Sequence, residues 1–107
     1  VYELALTKLD KTAARLTFEI LSESVVNPRI QRAVKTYDAA WHEILLPCYM
    51  KNGRLTREEA EARLDADLSL VDGLYFRVLG QESLDKERLA KKVADRIWRS
   101  MNGSAVA

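Results

Sequence analysis

The chain has 107 residues with 17 basic and 16 acidic side chains, a formal net charge of +1, and 48% hydrophobic content. This composition excludes a disordered chain, and the near-neutral balance supplies no overall field for nucleic acid or anionic lipid. One cysteine, Cys48, excludes an internal disulfide and a Cys-rich zinc site, and no apolar run reaches the ~20 residues of a membrane span. No signal or transit segment is visible, so the expected compartment is cytoplasmic.

Four apolar-periodic segments follow one another, at about 2–22, 28–46, 57–79 and 84–101, within one domain over 1–107. In the first, Leu6, Leu9, Ala13, Leu16 and Ile20 recur at steps of three and four, the period of a helix face. The second starts at Asn27, a capping residue, followed by Pro28 at the first helical position. Its stripe is Ile30, Val34, Tyr37, Trp41, Ile44 and Leu45. Pro47 cannot donate a helical hydrogen bond and should end or kink the helix.

Thr56 and Glu59 form a capping box that opens the third helix. Ala60, Leu64, Leu68, Val71, Tyr75 and Val78 follow at helical spacing, and Gly80 is a natural stop. Asp72-Gly73 lies between apolar runs across Leu68–Val78, which is also a hairpin signal. Helix is the better reading, because a lone hairpin is marginal in water. Ser83 caps the last helix, with Leu89, Ala90, Val93, Ala94, Ile97 and Met101 on its inner face. Trp41 should be buried and Trp98 partly exposed. Short connections between four amphipathic helices predict an all-α fold, an antiparallel four-helix bundle or an irregular relative.

Chemistry-bearing residues are sparse. His42, with Asp38 four residues earlier, could act as a general base. A lone solvated histidine is the commoner outcome. Cys48 reads as a small core hydrophobe. Glu58, Glu61, Asp65 and Asp72 line one strip of the third helix, which reads as a solvated flank. No phosphate loop, nucleophile elbow or metal-ligand spacing is present, so neither enzyme nor cofactor is expected.

Two surfaces remain. Leu4, Phe18, Leu74 and Phe76 lie off the main stripes and are candidates for a partner-binding face, most simply in a homodimer. Arg88, Lys92, Arg96 and Arg99 recur opposite the last buried stripe, with Trp98 at its edge. They are candidates for contact with nucleic acid or an acidic partner. Residues 57–79 carry six acids and three bases, and 84–101 six bases and three acids, so each helix offsets its neighbour. The favoured function is therefore a non-catalytic protein–protein interaction module, a small accessory or regulatory protein that self-associates. The alternative is a nucleic-acid-associated regulatory protein using the last helix, with nucleic acid the less favoured partner.

Overall fold

The computed structural model describes residues 2–103. Those residues form five helices: α1 (Tyr2–Lys8), α2 (Lys11–Ser24), α3 (Pro28–Gly53), α4 (Arg57–Gly80) and α5 (Lys86–Met101). The all-helical expectation holds, and Leu68–Val78 is continuous helix within α4.

The first predicted helix is two. Asp10 takes an extended backbone conformation and its carboxylate accepts from the amides of Thr12 and Ala13, which caps α2. The break lets Leu9 turn into the core, where it is almost wholly buried. The α3 start is as read from sequence, with the Asn27 side chain accepting from the Arg29 amide. Its end is not: α3 runs through Pro47 to Gly53. The Thr56 capping box is present, with the Glu59 amide donating to Thr56 Oγ1 and the Thr56 amide to Glu59 Oε1. The last helix is capped by Asp85, whose carboxylate accepts from the Arg88 amide, and not by Ser83.

Helix α4 is the hub and packs against each of the other four. One core cluster gathers Ala5 and Leu9 of the first turn region, Ala14, then Val71, Leu74 and Val78 of α4, and Ala90, Val93 and Ile97 of α5. A second holds Leu46, Tyr49, Ala60 and Leu64, between α3 and α4. Met101 borders both. The ends of α3 and α5 meet where Gly53 and Gly103 touch. A Cβ on Gly103, which has φ +79°, would stand 2.6 Å from the Gly53 carbonyl oxygen. Only glycine combines that backbone conformation with that approach.

The molecule is a slab of 38 × 37 × 20 Å. Its radius of gyration is 14.8 Å, against ~13 Å for a compact chain of this length. Several predicted core residues are accordingly on the surface. Leu16 and Ile20 of α2, and Tyr37 and Ile44 of α3, are exposed, and Trp41 is only half-buried. Cys48 is exposed rather than buried, because Leu46 and Tyr49 carry the inner face of α3 on either side of Pro47.

Candidate functional site

The outward face of α4 is unusual for a helix in water. Ala62, Ala66, Ser69, Gly73, Phe76 and Gly80 recur at steps of four, three, four, three and four, and all are exposed. A solvated face of this length normally carries Lys, Glu or Arg. Here six positions at near-heptad spacing carry no charge, five being small and one a phenylalanine that is 70% exposed. Nothing lies within 4 Å of a Cβ built on Gly73 or Gly80. Small residues along one face let another helix backbone come close, and a large apolar side chain beside them supplies the area that drives contact. On the neighbouring helix Trp98 is 62% exposed. It lies two residues before Ser100, whose carbonyl accepts from the Arg63 guanidinium at 3.1 Å, so it stands level with the first turns of α4.

The sequence drew attention to Phe76 and missed the small-residue face around it. The signal was there to read, as charge missing from 62, 66, 69, 73, 76 and 80. Of the other apolar candidates, Leu74 is 2% exposed and belongs to the core. Two residues separate it from Phe76, a turn of about 200° around a helix, so the pair cannot share an outward face. Leu4 on α1 and Phe18 on α2 are partly exposed.

The basic residues Arg88, Lys92, Arg96 and Arg99 are all exposed on α5, as their spacing predicts. Acids are interleaved with them. Asp95 and Glu87 line a shallow groove with Tyr2, Arg88, Lys91 and Ala94, and the Arg99 side chain reaches the Asp95 carbonyl at 3.5 Å.

A polar seam runs between α3 and α4. Tyr49 donates its hydroxyl to Asp67 Oδ2 at 2.5 Å, and both residues are buried. Burial, then the bond to Asp67, pushes the phenol well above its usual range, so it stays a donor. Toward the surface, His42 Nε2 meets Asp65 Oδ1 at 2.8 Å and His42 Nδ1 meets the Asp38 carbonyl at 2.9 Å. Lys8 donates to the Tyr75 hydroxyl at 2.7 Å, tying α1 to α4. Among the described residues no cluster of His, Cys, Asp and Glu has the makings of a metal site. Tyr49→Phe should cost ~1–3 kcal/mol in urea unfolding, because Asp67 would keep its buried carboxylate and lose its donor. A variant as stable as wild type would show that Asp67 finds another partner.

Residues 3–101 match the family model described as the C-terminal domain of BetI-type transcriptional repressors. The chain belongs to that family. Neither a curated protein nor a solved structure matches it. The match corrects the leading functional expectation: this repressor domain is not an accessory protein–protein interaction module. The alternative, a nucleic-acid-associated regulatory protein, is closer to a transcriptional repressor domain. The composition misled because a net charge near zero describes the domain at hand, whereas the family is defined by what a repressor does. Among the described residues no helix is long and apolar enough to cross a membrane.

Proposed function

We propose that this is the regulatory, subunit-pairing domain of a transcriptional repressor, without catalytic activity, and that a second copy of the chain docks on the uncovered face of α4. The observation that carries the reading is the uncharged, small-residue face on a helix that otherwise serves as the hub of the fold. The accessible surface supports it. The chain exposes 7688 Å², whereas a compact monomer of 12.2 kDa exposes ~6,100 Å². The surplus exceeds the ~800 Å² that one partner contributes to a standard interface. A two-fold axis across α4 would set Gly73 and Phe76 of each copy against the other, as an isologous contact requires.

Sedimentation velocity tests the pairing. Wild type should be a dimer at micromolar concentration, and Gly73→Gln and Phe76→Glu should each be monomers. Gly73→Gln is the cleaner variant. A Cβ there meets nothing within 4 Å, and leaving glycine behind should favour the helix by up to ~1 kcal/mol. A monomeric Gly73→Gln protein that melts no lower than wild type would therefore have lost its partner and not its fold. A wild-type monomer at high micromolar concentration, or a Gly73→Gln dimer, would overturn the assignment.

A further inference from the structure

The N-terminal half of α3 is loosely held. Its buried residues, Leu46 and Tyr49, both lie in the C-terminal half. From Arg29 to Ile44 only Ile30, Val34, Trp41 and His42 are even half-buried. The described polar link from the Arg29–Ile44 stretch to α4 is the His42–Asp65 contact. We propose that His42 is a proton-operated tie, which as an imidazolium holds the N-terminal half of α3 against α4 and as a neutral ring releases it.

Hydrogen-bond donors and acceptors around the ring set its charge state. Nδ1 faces the Asp38 carbonyl oxygen at 2.9 Å, and Nε2 faces Asp65 Oδ1 at 2.8 Å. A backbone carbonyl and a carboxylate only accept. Both ring nitrogens must then donate, and only the protonated imidazole carries two N–H groups. A neutral ring satisfies one oxygen and turns a lone pair on the other. The Asp38 carboxylate, with Oδ2 at 3.8 Å from Nδ1, adds further negative charge. The groups that act on the ring are thus Asp65 from α4 and Asp38 from its own helix, while Asp72 and Lys8 lie further along the same seam. The bond to Asp65, then the bond to the Asp38 backbone, raise the His42 pKa above 6.5 against a smaller opposing effect of burial. A histidine pKa raised on folding contributes stability that is complete below the unfolded value of 6.5 and is lost as pH rises through the folded value. The tie is therefore closed while His42 is protonated and opens as pH rises through its raised folded value. It stands apart from the repressor reading and holds for monomer or dimer.

His42 is the only histidine, so its ring protons give an unambiguous proton NMR titration. Wild type should titrate above 6.5, and Asp65→Asn should titrate lower than wild type. Amide protection factors for residues 30–44, taken between about pH 6 and 8.5, should fall roughly threefold along the same curve. His42→Ala, which suits a helix, should give low protection at every pH in that range. The inference is overturned if wild-type His42 titrates at or below 6.5, if protection is flat with pH in wild type, or if the pH-dependent loss survives in His42→Ala.

Discussion

Leu64→Ala should destabilise the domain by ~3–5 kcal/mol. Leu64 is 1% exposed and sits with Leu46, Tyr49 and Ala60 in the smaller core cluster. Truncation removes the transfer free energy of the lost carbons and leaves a cavity whose walls must move to fill it. Those walls resist movement. Tyr49 is fixed by its bond to Asp67, and Ala60 lies one turn after the capping box at Thr56. Total stability of a domain this size is ~5–15 kcal/mol, so one truncation would remove a large share of it. The measurement is urea or guanidinium unfolding at one fixed protein concentration, since the proposed pairing would make apparent stability concentration-dependent. Leu64→Met, which conserves volume, should cost under ~1.5 kcal/mol. An alanine variant within about 1 kcal/mol of wild type would mean that α3 and α4 close the gap, and that this cluster is looser than its burial implies.

How far the sequence could be read differs from helix to helix, and the reason is packing. On α4 and α5 the periodic stripe was the core: Ala60, Leu64, Val71 and Val78, and then Ala90, Val93 and Ile97, are all buried. On α2 and α3 the same arithmetic named Leu16, Ile20, Tyr37 and Ile44, which are exposed. Periodicity identifies an apolar face but not what covers it. In a slab built around one hub, the outer helices have no second layer behind them. The Asp10 break was hidden because Leu6, Leu9 and Ala13 keep helical spacing straight through it. The His42–Asp65 and Tyr49–Asp67 contacts join residues 23 and 18 positions apart on different helices, which no local pattern encodes. The α4 face is a different kind of miss. Its residues are consecutive in register and needed only to be read for absent charge.

Pro47→Ala should raise stability by ~1–3 kcal/mol, the reverse of most substitutions in a helix. Proline inside a helix removes one backbone hydrogen bond and sets its ring against the carbonyl four residues back, here that of Glu43. The sequence predicts an end or a kink at this point, and α3 does not end there but continues to Gly53. What carries it through is tertiary: Leu46 and Tyr49, flanking the proline, are buried, and Tyr49 is bonded to α4 through Asp67. Pro47 itself is exposed, so its removal sacrifices little packing. Alanine restores the amide for the Glu43 carbonyl and has the best helix propensity. In a domain of about 100 residues each kcal/mol is worth ~4–8 °C in Tm, which makes the change easy to resolve by thermal melting. Some of the gain will be returned through the unfolded chain, which proline restricts and alanine does not. A Tm that falls instead would have a specific meaning. The direction α3 takes after Pro47 would then be needed to bring Tyr49 onto Asp67, and the proline would be setting the geometry of the α3–α4 seam.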